Sequence, residues 1–141
     1  MDGLQGAVLN VKLKYLPKWT EMRRQNAALY KKYLIDIPQL RLPEEHPDVY
    51  HVWHLFVVRV ERRDELFLYL KENQIFSGIH YPVPCHLQKA YASLGYQKGQ
   101  LPVTESHAAK IISLPIYPEL TEEQIIHIVN KIRNFYGVSV I

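Results

Sequence analysis

An α+β fold, a small sheet covered by helices, is what the pattern of this 141-residue chain predicts. Three observations carry that expectation. Residues 51–60 are β-branched and aromatic on both alternating faces, the mark of a central strand covered on both sides. Thr121-Glu122-Glu123-Gln124 forms a capping box that opens a helix with Ile125, Ile128, Val129, Ile132 and Phe135 on one face. Between these elements strands and helices are interspersed, with connections too varied for a repeat and no low-complexity segment.

Taken in order, residues 2–16 read as a helix with Asp2 as its N-cap. Leu4, Ala7, Val8, Val11 and Tyr15 make one apolar stripe, and Leu9, Leu13 and Leu16 a second. An arc this wide implies contacts on more than one side. A domain seldom starts on the first residue of such a helix, so a segment upstream is expected. Pro17 suits the first turn of a second helix that presents Trp19, Met22, Asn26, Leu29, Tyr30 and Tyr33 on one face. Pro38, Pro43 and Pro47 leave room only for a short strand near Leu40–Leu42.

In the strand at 51–60, Trp53, Leu55 and Val57 fall on one face, and Val52, Phe56, Val58 and Val60 on the other with His54. His54 is therefore expected to be a satisfied core histidine. Asp64 is expected to cap a short helix carrying Leu66, Phe67 and Leu70, with Asn73 near its end. A strand over Ile75–Ile79 turns through Pro82 and Pro84 and restarts as a helix with Leu87, Ala90, Tyr91 and Leu94 at helical spacing. Gly95 and Gly99 bracket a loop, residues 103–111 form another helix, and Ile112-Ser113-Leu114-Pro115 is extended. Gly137 closes the last helix.

Composition bounds the class. A hydrophobic content of 48% with 22% charged residues describes a single globular domain, and no apolar run approaches a bilayer span. The start lacks the basic and apolar regions of a signal peptide. One cysteine, Cys85, excludes an internal disulfide and fits a reducing cytoplasm. A net charge of +3 is too mild to argue for nucleic acid, and the basic residues of 1–36 read as solvated helix faces.

His80, Tyr81 and His86 sit on the elbow between the strand at 75–79 and the helix after it, a place from which hydrogen bonds can be presented to a ligand. A proline-stiffened loop with solvated histidines is the competing reading. His51 and His54, three apart in a strand, face opposite ways, which argues against a zinc site with His46. The chain has no Gly-rich phosphate loop, G-x-S-x-G elbow or paired-cysteine pattern. Cys85 beside His86 reads as a structural or ligand-lining thiol, because adjacent side chains seldom meet face to face and no third group orients the base.

Several runs resemble the second half of the DegT/DnrJ/EryC1/StrS aminotransferases, pyridoxal-phosphate enzymes that aminate nucleotide-linked keto-sugars. They are Met1–Leu9 with Lys12-Leu13, Trp19–Arg24, His54–Arg59 with Arg63-Asp64, His80–Gln88, Leu101–Glu105 and Ser113–Thr121, in order and over nearly the whole chain. The resemblance implies the small C-terminal domain of fold-type-I aminotransferases over residues 1–141, a short antiparallel sheet packed with helices. In full-length members a large N-terminal domain supplies the Schiff-base lysine, the acid facing the pyridine nitrogen and most of the phosphate cup. An Asn and an Arg precede the Met-Asp-x-Leu-Gln run there, and this chain starts after them.

On that basis no residue here is expected to be catalytic or to bind the cofactor, and pyridoxal phosphate is not expected to bind this chain alone. His80 and Tyr81 would hydrogen-bond the sugar or its diphosphate, with His86 nearby. Gln5, Leu4 and Val8 would line the junction with the large domain and a partner subunit. The partners implied are a nucleotide sugar and either a second copy or the missing N-terminal half. Nucleic acid and membrane are not implied. The separate-class alternative is a non-catalytic interaction module, in its simplest form self-associating through the first helix. A small hydrolase built on Cys85 and His86 ranks behind both.

Overall fold

Residues 1–141 are all described by the computed structural model. The chain opens on α1 (Gly3–Leu13) and turns into α2 (Leu16–Leu34), which has Pro17 in its first turn. β1 (Leu40–Arg41), β2 (Phe56–Val60) and α3 (Arg63–Glu72) follow, then two 3₁₀ turns at Cys85–Leu87 and Lys89–Leu94. α4 (Pro102–Lys110), β3 (Ile111–Leu114) and α5 (Glu122–Tyr136) complete the chain. No helix is long and apolar enough to cross a membrane.

The strands form one antiparallel sheet in the order β1-β2-β3, so β2 is central as its composition predicts. Cross-strand partners share a face, and the register divides the sheet cleanly. Leu40 with Val60, Val58 with Ile112, and Phe56 with Leu114 make the buried face. Tyr30 and Leu34 of α2, Leu66 and Leu70 of α3, and Ile125, Val129 and Ile132 of α5 close over it. The Tyr30 ring stacks on Phe56 at 5.0 Å, and its hydroxyl donates to the Pro115 carbonyl at 2.9 Å. Burial drives that phenol far above its ordinary pKa. The opposite face carries Arg41, Val57, Arg59, Ile111 and Ser113 and contributes nothing to the apolar core. This is the small antiparallel sheet packed with helices that the sequence implies.

The expected capping box of α5 and the expected N-cap of α1 are both present. Thr121 Oγ1 accepts from Gln124 N at 3.3 Å while Gln124 Oε1 accepts from Thr121 N at 3.0 Å, and Gly137 ends α5 in the left-handed region. Asp2 Oδ1 accepts from Gln5 N at 2.8 Å to start α1. No residue of α1 is buried, so both of its apolar stripes lie largely open.

Five local expectations are corrected. The central strand spans 56–60, not 51–60, and its second face is not covered, because Val57 is half-buried and Arg59 exposed. Before it the chain kinks at Trp53, whose φ of 48° lets Trp53 and Phe56 enter the core together. That kink leaves His54 exposed rather than in the core. Asp64 lies inside the first turn of α3, and the N-cap is Arg62 in the left-handed region. The strand expected at 75–79 shrinks to one antiparallel bridge, Gly78 with Ser113. The elbow helix is two 3₁₀ turns with Tyr91 and Leu94 exposed, since no neighbour covers the apolar side that would select an α-helix.

Candidate functional site

Polar chemistry collects at the outer edge of β3. Ser113 is the one hydroxyl in the run Ile111-Ile112-Ser113-Leu114, and alternation turns it away from the core face. Gly78 donates to Ser113 O at 2.9 Å and accepts from Ser113 N at 2.7 Å, which fixes the following residues against the strand. His80 then folds back so that its Nδ1 lies 2.9 Å from Ser113 Oγ. Glycine leaves room for that ring: a Cβ at Gly78 would stand 2.6 Å from His80 Cε1 and displace the imidazole.

The Tyr81 ring meets His80 edge-on at 5.5 Å, and Tyr81 is 71% exposed. His80 Nε2 and the Tyr81 hydroxyl have no hydrogen-bond partner within the chain. The site therefore offers an oriented imidazole nitrogen and a phenol to solvent on a strand edge.

His86 is placed differently. It is buried, its Nε2 lies 3.1 Å from Glu105 Oε1, and its ring meets Tyr96 edge-on. Glu105, in the first turn of α4, also accepts from Gly99 N at 2.8 Å and Leu101 N at 3.3 Å. His86 and Glu105 together pin the loop over 95–101, while His80 and Tyr81 remain open. The only partner His86 has outside its own ring stacking is this carboxylate, and its Nδ1 is buried without one. Cys85 is exposed and makes no bond to His86.

Burial pushes the Glu105 carboxyl up, but the Gly99 and Leu101 amides and His86 outweigh it and hold the pKa below the usual carboxylate range. A lowered folded-state pKa means a stabilising contribution complete well above the ordinary glutamate value of about 4.3 and lost as pH falls through the folded value. Amide-exchange protection of Gly99 and Leu101 should then decay on acidification while that of Ile112, in the core, persists. Parallel decay of all three would contradict a local release.

Of the interface residues, Leu4 and Val8 are exposed and Gln5 closes the α1 capping box through Oε1, 3.4 Å from Asp2 N. Sequence reasoning missed a groove of about 910 Å³ between α1 and α2, bordered by Leu9, Leu13, Trp19, Arg23 and His54. Val52 and His54, on either side of the kink at Trp53, line it, and alternation does not foresee that kink. Ser113 and Glu105 were also missed as positioning groups. The lone hydroxyl in an apolar strand was the available signal for the first.

His46, His51 and His54 are not brought together. His46 Nδ1 lies 3.6 Å from an Asp48 carboxylate oxygen, His51 Nδ1 accepts from Trp53 N at 2.9 Å, and no group of three ligating side chains could hold a metal ion. All ten lysines are exposed or half-buried. A lysine that bonds pyridoxal phosphate needs its ammonium pKa brought down, most simply by a desolvated seat, and no lysine here is buried.

The fold is a small antiparallel sheet backed by helices, with a histidine and a tyrosine presented at its edge. The family model for the DegT/DnrJ/EryC1/StrS aminotransferase family matches residues 1–133, and the chain belongs to that family. It is 45% identical over 138 residues to a pleiotropic regulatory protein of Geobacillus stearothermophilus, covering 96% of this chain and 37% of the relative. It is 42% identical to the dTDP-3-amino-3,4,6-trideoxy-alpha-D-glucose transaminase of Streptomyces venezuelae, covering 96% and 36%. The crystal structure of S. venezuelae DesV superposes with a TM-score of 0.93 at 41% identity, over 99% of this chain and 38% of that one. The chain thus spans a little over a third of the length of these relatives.

Proposed function

We propose that this chain is the substrate-side small domain of a pyridoxal-phosphate-dependent aminotransferase that passes an amino group to the keto carbon of a nucleotide-linked sugar. The observation that carries the reading is His80, oriented by Ser113 with Tyr81 beside it, in a chain of this family. The amino-group chemistry belongs to the cofactor, and its seat is assigned to sequence outside these 141 residues. His80 donates to or accepts from a sugar hydroxyl, or donates to a phosphate oxygen, and Tyr81 adds a second hydrogen bond. Ser113 fixes the angle of the imidazole. A cytoplasmic setting belongs to this proposal.

The test is the equivalent of His80→Ala in a full-length family member. Loss of a hydrogen bond to a charged group is worth about 1.5–3 kcal/mol, so KM for the nucleotide sugar should rise by roughly one to two orders of magnitude. Unchanged KM and kcat would remove His80 from the site. For the isolated chain, borohydride reduction with pyridoxal phosphate should leave no single lysine stoichiometrically modified. One uniquely labelled lysine would overturn the assignment of the cofactor seat to other sequence.

The open apolar side of α1 favours a second reading, a module that associates through that helix. Light scattering on the 141-residue chain should then show a dimer that Leu4→Glu with Val8→Glu converts to monomer. A wild-type monomer at every accessible concentration would exclude this version.

A further inference from the structure

Two of the arginines stand apart from the rest. The chain has seven arginines, and five are neutralised or satisfied by oxygen. Arg24 pairs with Glu45, Arg62 with Glu65, Arg63 with Asp64 and Arg133 with Asp36. Arg23 donates to the carbonyls of Ile116, Trp53 and His54. Arg41 and Arg59 have no oxygen partner at all. The β1–β2 register sets them directly opposite each other on the open face of the sheet. Like charges facing across a strand pair repel, so the chain alone holds this arrangement at a cost.

His107 of α4 joins them, with its Nε2 2.7 Å from Arg59 Nη1. A guanidinium can only donate, so the imidazole accepts through Nε2 and keeps its Nδ1 hydrogen as a further donor. Two shallow depressions, about 360 Å³ and 470 Å³, share these three residues as lining. Glu61, beside the second, is committed to Lys110 at 2.8 Å. Glu44, beside the first, forms no ion pair and is the single uncommitted carboxylate against two guanidinium groups.

We propose that Arg41, Arg59 and His107 form a binding site for a phosphate-type dianion. Guanidinium forks match phosphate oxygens bidentately, and a dianion placed between two facing arginines converts their repulsion into attraction. Arg59 lies two residues along β2 from Val57, the cross-strand partner of Ser113.

The test uses the 141-residue chain, with His107 imidazole resonances followed during titration with inorganic phosphate at constant ionic strength. A saturable shift at His107 and along β1 and β2 is expected, with His127 unmoved. Losing two charge-assisted contacts in Arg41→Gln/Arg59→Gln should raise the apparent Kd at least ~10-fold. The same variant should melt higher than wild type without phosphate, because the repulsion is gone, and should lose the phosphate-dependent rise in Tm. His107→Gln, which leaves both charges in place, should weaken binding less.

A second arm with uridine diphosphate separates the sources of the anion. Binding tenfold tighter than inorganic phosphate assigns the site to a nucleotide, and equal binding assigns it to free phosphate. Non-saturating shifts, equal shifts with chloride, or an unaltered titration in the double variant would overturn the proposal.

Discussion

Phe56→Ala should remove a large part of the stability of this chain. Phe56 is fully buried at the start of β2, its ring 5.0 Å from Tyr30 and 5.5 Å from Trp53. Truncation deletes the apolar surface and leaves a hole that three different elements border: α2, the kink at Trp53 and β3 through Leu114. Such sites collapse poorly, and buried Phe→Ala changes cost about 3–5 kcal/mol. Against a typical total of ~5–15 kcal/mol that is a large fraction. Urea unfolding should show the midpoint falling sharply with an unchanged slope, while Phe56→Leu, which keeps most of the volume, should cost under ~1.5 kcal/mol. A midpoint for Phe56→Ala within error of wild type would mean that this ring does not hold the sheet to α2.

The element types were legible in the sequence wherever local chemistry and packing agree. α5 is the clearest case, since its capping box, its apolar stripe and Gly137 all say the same thing and the structure obeys each. The strand at 51–60 shows where reading by alternation fails. Val52 through Leu55 have strand composition, but Trp53 adopts a positive φ that no period of two anticipates, and the ladder begins only at Phe56. The 3₁₀ turns at 85–94 fail for the opposite reason. Helical spacing of Leu87, Ala90, Tyr91 and Leu94 is present, but nothing packs against it, and spacing without a partner surface does not stabilise an α-helix.

At the candidate site the sequence could supply residue types but not their partners. His80, Tyr81 and His86 lie within seven positions, and proximity in the chain suggested a common role. The partners separate them: Ser113 orients His80 from 33 positions away, whereas Glu105 holds His86 against α4. Arg41 and Arg59 were likewise unreadable as a pair, because only the strand register sets them face to face. Long-range pairing is what a single sequence conceals, and each of these assignments depends on it.

Arg133 is the other place where one side chain holds distant parts together, and Arg133→Met should show it. Its guanidinium is buried on α5 and donates to Asp36 Oδ1 at 2.7 Å and Oδ2 at 2.8 Å. It also donates to the carbonyls of Tyr33 at 3.2 Å and Ser139, tying the end of α2 and the C-terminal segment to α5. Methionine keeps the apolar stem but leaves those acceptors unpaired. Breaking one side of such a pair is more costly than replacing both, so Arg133→Met should lower Tm by several degrees, and Asp36→Asn by less.

The effect has a pH signature. The Arg133 hydrogen bonds hold the Asp36 carboxyl below its ordinary pKa. A depressed folded-state value gives a contribution fully present above about pH 4 that disappears as pH falls through the folded pKa. The Tm gap between wild type and Arg133→Met should therefore be widest near neutrality and narrow steadily in acid. A gap that stays constant across that range would place the loss in packing of the side chain rather than in its ion pair.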